Sequence, residues 1–259
     1  MAVVLVGDRT DSGTYVRMKK RACDEVGIDQ SQSINLPEDV SQEELIRTVR
    51  DLDANPDVHG ILVQLPLPSG IDEAAVLSQI SAEKDVDGLD PRNVGRLALR
   101  GRTPAFVPCT PRGCMELLRR YNISVEGKHA VVLGRSNIVG IPMGMLLLQA
   151  NATVTTCHSR TVDIADHVRR ADILVAAIGQ ADFVKKEWLK PGCVVIDVGM
   201  NAVDAPDTKK GYRLTGDVDL EGAKEVVSAY TPVPGGVGPM TIAMLLSNTV
   251  TAGRAAMER

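Results

Sequence analysis

The sequence has no surplus of positive charge: 29 Lys and Arg stand against 33 Asp and Glu, a formal net charge of -4. That leaves no electrostatic footprint for nucleic acid. No apolar run approaches the ~20 residues of a membrane-spanning helix. The opening stretch "MAVVLVGDRT" also lacks the basic n-region and long apolar h-region of a secretory signal. The expectation is an intracellular, soluble chain with neither a membrane nor a nucleic-acid partner. Cysteine is scarce and unpaired in pattern: Cys23, Cys109, Cys114, Cys157 and Cys193 are odd in number and never form C-x-x-C, which argues against a disulfide framework or a zinc cage. They read as buried thiols. Histidine is scarcer still, and His59, His129, His158 and His167 form neither H-E-x-x-H nor H-x-H, so no metal ligands are expected. Internal repeats and low-complexity tracts are absent as well.

What is present is ordinary globular composition, 44% hydrophobic and 24% charged, over 259 residues. At roughly 150 residues per domain that length suits two domains. Short apolar runs recur: "AVVLVG" (2–7), "GILVQLP" (60–66), "HAVVLG" (129–134), "ATVTTCH" (152–158), "DILVAAIG" (172–179) and "CVVIDVG" (193–199). Being continuously apolar, they predict strands covered on both faces, the habit of parallel sheets. Helical patterns lie between them. "SGTYVRMKKRACDEVG" offers Ser12 as N-cap and Gly27 as stop, and "SQEELIRTVRDLDAN" opens with Ser41 and Glu44 in capping-box spacing. Further amphipathic segments sit at 71–80, 110–121, 139–150, 162–170, 219–229 and 237–258. Strand–helix alternation predicts βαβ units in a doubly wound α/β architecture. The proline-rich stretch "RGRTPAFVPCTPRG" (100–113) interrupts it and marks a seam between two lobes. The final helix, after "TPVPGGVGPM", crosses back to the first lobe.

Several stretches suit a ligand. "HAVVLGRSNIVGIPMG" (129–144) runs from a strand through Gly134 into a helix beginning at Val139 and Gly140. The free N–H groups and positive dipole end of such a helix accept an anion. Its glycines do not fit G-x-G-x-x-G, since Arg135 and Ser136 stand where a second glycine would be. On this segment alone, a nucleotide site and a plain strand-to-helix turn are equally supported. The following strand ends in Ser159 and Arg160 with no acid to hold a ribose diol, which with Arg135 favours NADP over NAD. Tyr15 and Lys19 lie one helical turn apart, and a desolvated lysine becomes a usable acid or base near neutral pH. The same spacing is also common on amphipathic helices. Gln64 follows an apolar strand at the edge where α/β folds place ligands, while Asp85, Asp87 and Asp90 in "KDVDGLD" serve equally as turn formers. "TPVPGGVGPMT" (231–241) is a rigid loop that suits either a ligand or a connector.

Taken in order, "YVRMK", "GILVQLPLP", "KDVDG", "PCTPRG", "VVLGRSNIVGIPM", "TTCHSRT", "VIDVGMN" and "TPVPGGVGPMT" closely resemble the bifunctional methylenetetrahydrofolate dehydrogenase/cyclohydrolase family, over nearly the whole chain. The resemblance implies NADP-dependent oxidation of 5,10-methylene-tetrahydrofolate to 5,10-methenyl-tetrahydrofolate, then hydrolysis to 10-formyl-tetrahydrofolate. Carried over by position, it makes Lys19 the catalytic lysine, Tyr15 the residue that stacks on folate, Gln64 the tuner of the lysine's protonation and Asp87 the holder of the amino-pyrimidine edge. Ser12 and the loop residues Pro234, Gly235, Gly236, Val237 and Gly238 would contact the folate. Gly134, Arg135, Ser136, Val139, Gly140, Ser159 and Gly199 would contact the cofactor. The implied organisation is a folate lobe over 1–112, closed by the C-terminal helix 238–259, and a Rossmann-like NADP lobe over 113–237, with the site in the cleft. A cytoplasmic homodimer follows by resemblance, or a mitochondrial matrix protein if a presequence has been removed.

Family members usually carry a helix ahead of the first strand, whereas this chain starts in "MAVVLVGD", which implies a shortened chain or a less covered lobe surface. Two other readings stand beside the main one. A dehydrogenase that lacks the hydrolase step or prefers NAD is opposed by Tyr15 with Lys19 and by Arg135 with Ser159. A folate-binding protein without turnover is the other.

Overall fold

In the computed structural model the first apolar run, AVVLV, is strand β1 (Ala2–Val6), and its side chains sort by alternation. Ala2, Val4 and Val6 enter one buried cluster while Val3 enters another with Met1, so the strand is apolar throughout because both its faces are covered. The structure describes all residues except Asp8, Arg9, Ser31, Lys209, Lys210 and Arg259, and leaves out the side chains of Thr10, Asp11, Ser12, Thr14 and Tyr15.

Two units divide the chain: Met1–Cys109 with Ile242–Arg259, and Thr110–Thr241. In the first unit β1 is followed by α1 (Thr10–Val26), β2 (Ile34–Leu36), α2 (Gln42–Ala54), β3 (Ile61–Val63), α3 (Glu73–Leu77) and α4 (Pro91–Ala98). The sheet is parallel, in the order β2-β1-β3. Helix α2 starts as its spacing predicts. The Glu44 N–H donates to Ser41 Oγ at 3.2 Å, and Leu45, Val49 and Leu52 form the buried stripe. Helix α1 begins at Thr10, so Ser12 falls inside it rather than capping it, and Gly27, at φ +75°, ends it. Helix α4 is absent from the sequence expectations. Its signals are Asp90, whose carboxylate accepts the Arg92 N–H at 2.7 Å, and Pro91 at the first helical position.

The second unit runs α5 (Cys109–Arg120), β4 (His129–Leu133), α6 (Gly140–Gln149), β5 (Thr153–Cys157), α7 (Ile164–Val168), β6 (Ile173–Ala176), a 3₁₀ turn at Lys186–Trp188, β7 (Val194–Asp197), β8 (Asn201–Asp204), β9 (Tyr212–Thr215), α8 (Leu220–Ala223) and β10 (Ala229–Tyr230). Its five-stranded sheet, β10-β7-β6-β4-β5, is entirely parallel. Alternate residues again face two cores. Ala130, Val132, Ile173 and Val175 meet Met143 and Leu147 of α6, while Val131, Leu133, Leu174 and Ala176 meet Val168 of α7. The helix expected over 219–229 is only α8. The Val226 carbonyl accepts the Gly192 N–H at 2.8 Å and the Ser228 N–H goes to Cys193 O at 2.9 Å, which draws the rest of that segment into β10. The antiparallel pair β8–β9 was not expected either.

Helix α9 (Val237–Met257) closes the chain. From Ile242 on it belongs to the first unit, where Leu245 and Ala252 join the Met1 and Val3 cluster. Among the described residues no helix is long and apolar enough to cross a membrane. All five cysteines are free and buried.

Candidate active site

In the first unit the chemistry gathers around Lys19. It lies on α1 with only 7% of its surface exposed, and its Nζ donates to Gln64 Oε1 at 2.9 Å. Gln64 is placed by the sheet. Its N–H continues the β1 ladder to Val4 O at 2.9 Å, at the carboxyl edge of β3, and its side-chain amide donates to Leu65 O at 2.8 Å. Burial pushes the Lys19 ammonium below the ordinary lysine range. Asp87 opposes that shift most strongly, with Cys109 and Cys23 adding to the opposition. A buried amine anchored to an amide oxygen gives up its proton more readily than a solvated lysine, which suits it to take and return one.

The loop bearing Asp87 is held from inside. Asp85 is buried, and its carboxylate accepts N–H groups from Gly88 and Leu89 at 3.1 Å and from Asp90 at 2.7 Å, with the Asn93 amide at 3.1 Å. Burial is the largest influence on it and pushes its carboxyl up to about 6 against those donors. Gly88 sits at φ +76°, where a Cβ would lie 2.6 Å from Pro108 N, so only glycine lets the loop approach that strand of chain. From α9, the Asn248 amide donates to Val86 O at 2.8 Å and Val107 O at 3.1 Å. Asp85, Asn93 and Asn248 thus fix the backbone that presents half-buried Asp87. Of these, only Asp85 stood out in the sequence, and as a turn former. The expected roles of Ser12 and Tyr15 rest on side chains outside the described residues.

In the second unit the candidate residues line the carboxyl edge of the sheet. Strand β4 lies between β5 and β6, and the crossovers on its two sides carry α6 and α7 against opposite faces. Such a switch of direction opens a crevice at the strands' carboxyl ends. The ladder runs one step past each strand there: Gly134 N–H to Cys157 O at 2.9 Å, Ala177 N–H to Leu133 O at 2.8 Å, and Val198 N–H to Ala176 O at 2.8 Å. Gly134, at φ +111°, has no room for a Cβ because Ala177 O occupies that place, and Gly140 is likewise pressed against Gly134 O. This turn was expected to be a cradle, and its glycines are required by that close approach.

Ser136 Oγ accepts the N–H groups of Val139, the residue before α6, at 3.2 Å and of Gly140, its first residue, at 3.3 Å, and its own O–H remains a donor on an exposed side chain. Arg135 is exposed beside it, and the pairing Leu133↔Cys157 sets exposed Ser159 just past the same edge. Gly199 follows β7 and is buried, with its Cβ position taken by the Asp217 carboxylate. The residues Pro234, Gly235 and Gly236 form a turn closed by Gly236 N–H to Pro232 O at 2.9 Å, and Val237 and Gly238 open α9. The free N–H groups expected at the start of α6 are not there: Ser136 Oγ takes those of Val139 and Gly140, Ser136 O takes that of Ile141 at 3.0 Å, and Pro142 has none. What fits a dinucleotide is the Ser136 hydroxyl, the exposed Arg135 and Ser159, and the side-chain-free surfaces of Gly134 and Gly140.

Two residues that sequence reasoning did not single out, Asp197 and Asp217, stand behind this edge at 1% and 0% exposure. Among the described residues no group of three or more His, Cys, Asp or Glu is arranged to hold a metal.

Comparison with known proteins agrees with both halves. The family description "Tetrahydrofolate dehydrogenase/cyclohydrolase, catalytic domain" matches residues 1–87, and "Tetrahydrofolate dehydrogenase/cyclohydrolase, NAD(P)-binding domain" matches 108–257. The chain is 59% identical over 254 residues to the chloroplastic bifunctional protein FolD 4 of Arabidopsis thaliana, covering 98% of this chain and 70% of that one. Against the bifunctional protein FolD of Chloroherpeton thalassium it is 56% identical, with 96% and 86% covered. The crystal structure of the Trypanosoma brucei methylenetetrahydrofolate dehydrogenase-cyclohydrolase, complexed with NADP and an inhibitor, superposes with TM-score 0.96 at 48% identity, covering 100% of this chain and 87% of that one. The chain belongs to the tetrahydrofolate dehydrogenase/cyclohydrolase family.

Proposed function

We propose that this protein oxidises 5,10-methylene-tetrahydrofolate to the 5,10-methenyl form with NADP and hydrolyses that product to 10-formyl-tetrahydrofolate. The observation that carries the reading is the Lys19–Gln64 pair, a buried amine hydrogen-bonded at 2.9 Å to a glutamine on a sheet edge, in a chain that also holds a glycine-lined dinucleotide cradle. NADP, when bound, takes up the hydride that leaves the one-carbon bridge. The protein's part in that step is placement, since the developing amidinium cation needs no proton transfer.

Arg135, Ser136 and Ser159 hold the 2′-phosphate, and Gly134, Val139, Gly140 and Gly199 let the dinucleotide approach the backbone. Hydrolysis does need protons. Lys19 takes one from the water that adds to the methenyl carbon and returns one as the ring opens, while Gln64 holds its Nζ in place. Asp87 binds the amino-pyrimidine edge of the pterin, and Tyr15, Ser12 and the residues Pro234, Gly235, Gly236, Val237 and Gly238 contact the folate. On this reading the unit of Met1–Cys109 with Ile242–Arg259 is the catalytic, folate-binding part and Thr110–Thr241 the NADP-binding part. Its family points to a homodimer, in the cytoplasm or in a mitochondrial matrix after loss of a presequence.

The test is a spectrophotometric assay with 5,10-methylene-tetrahydrofolate and either NADP or NAD, following reduced nucleotide and methenyl product separately. NADPH should appear without matching methenyl accumulation, beyond the spontaneous hydrolysis of a control lacking enzyme. Absence of reduced nucleotide with both cofactors would refute the reading.

A further inference from the structure

Behind the dinucleotide edge two buried carboxyl groups brace segments that are far apart in sequence. Asp217 accepts four donors: Ile178 N–H at 2.7 Å and Gly179 N–H at 3.1 Å on Oδ2, and Gln180 N–H at 2.9 Å and Asn201 Nδ2 at 3.0 Å on Oδ1. Three successive backbone amides of the loop after β6 therefore converge on one side chain. That side chain is itself held, because Asp197, at the end of β7, accepts the N–H groups of Asp217 and Val218 at 2.9 Å each. Two glycines give these carboxylates their room, since a Cβ at Gly199 would overlap Asp217 and one at Gly216 would overlap Asp197. The chain of contacts continues to the cradle: the loop begins at Ala177, whose carbonyl is pressed on Gly134, whose own carbonyl is pressed on Gly140 at the start of α6.

We propose that Asp217 is a positioning residue for the dinucleotide, fixing the loop 177–180 and the Gly199 backbone so that the two ends of the cradle keep their spacing. This rests on the reading of that edge as an NADP site. Asp217 lies behind the loop at 0% exposure, so it acts through backbone amides and not by touching the nucleotide. Because a carboxyl group only accepts here, an amide in its place would turn an NH₂ toward two of the four donors, and a buried donor facing a donor costs more than the lost bond. Nothing in this network belongs to the unit that holds Lys19. The consequence is selective: NADP binding and oxidation depend on Asp217, and hydrolysis of the methenyl substrate, which uses no nucleotide, does not.

The experiment compares Asp217→Asn and Asn201→Ala with the parent in the full chain. It measures the NADP dissociation constant by titration calorimetry, kcat and KM for NADP in the dehydrogenase assay, cyclohydrolase activity on 5,10-methenyl-tetrahydrofolate, and Tm with and without NADP. Asp217→Asn should weaken NADP binding by roughly tenfold or more, shrink the NADP-induced rise in Tm and leave the cyclohydrolase rate within about twofold of the parent. Asn201→Ala, which removes one donor and leaves the carboxylate, should do the same to a smaller degree. Unchanged NADP affinity in Asp217→Asn overturns the proposal. If Asp217→Asn loses both activities through misfolding, Asn201→Ala decides: selective weakening of NADP supports the proposal, and no change or a parallel loss of both activities overturns it. A parent that binds no NADP and reduces none would instead refute the functional reading itself.

Discussion

Replacing Asp197 with Asn should change how stability depends on pH. Asp197 is 1% exposed, and its carboxyl is pushed up from 3.8 to about 7, by burial first and by the neighbouring Asp217 as well, while N–H donors from Asp217, Val218 and Gly199 pull the other way. Between those two values the native protein holds a proton that the unfolded chain has released, so stability falls as pH rises. The advantage of the neutral acid is complete below about pH 4 and is lost as pH climbs through about 7. The gap of about 3 pH units, at ~1.4 kcal/mol each, corresponds to about 4 kcal/mol. Asparagine mimics the neutral acid at every pH. The variant should therefore gain on the parent by up to about 4 kcal/mol as pH goes from about 4 to 8, whatever constant offset the substitution brings. Urea denaturation of both proteins across that range measures the difference. Asp85, pushed up to about 6, has the same sign but is common to both and cancels. A difference that stays constant with pH would refute the reasoning, because it would mean the three N–H donors outweigh burial and keep Asp197 ionised.

Lys19→Met should lower the cyclohydrolase rate by roughly 10²–10⁴-fold while folate binding persists, and unchanged hydrolysis would remove the lysine from its assigned role. Arg135→Ala should weaken NADP by roughly tenfold or more and NAD far less, as read by KM for each, whereas equal losses would mean the arginine does not read the 2′-phosphate. Leu147 on α6 is fully buried among Ala130, Val132 and Ile173. Leu147→Ala should cost about 2–5 kcal/mol in denaturant unfolding, and a loss near zero would show that the cavity collapses without penalty.

Much of the molecule could be read along the chain. β1, β3, β4, β5, β6 and β7 each lie within an apolar run marked in the sequence. A strand covered on both faces needs apolar side chains along its length, and that is a local property; β5 departs from the expectation, since TVTTC is an edge strand with Thr153 and Thr156 exposed. Ser41 and Glu44 announced α2 for the same reason, since a helix cap is made within four residues. Other elements escaped notice because their signals were weak or shared with turns. β2 has three residues with no fully buried one, β8 and β9 are largely polar, and Asp90 with Pro91 reads as a turn as readily as a helix start.

At the site, the family motifs marked Lys19, Gln64, Asp87 and the Gly134 turn; the residue types alone left the lysine on an ordinary amphipathic helix and the turn evenly balanced between a cradle and a plain connection. What only tertiary structure decided is how those groups are conditioned. Lys19 loses affinity for its proton because α1 is folded over the β3 edge, where Gln64 comes within 2.9 Å from 45 residues away. Asp217 looks like an ordinary surface acid in sequence, and Asp197, twenty residues before it, is a lone acid at the end of an apolar run with nothing to say what it meets. They become a buried brace only when the ends of β6 and β7 and the segment after β9 meet, because burial and hydrogen-bond satisfaction belong to neighbours in space, whereas residue type and spacing belong to the chain.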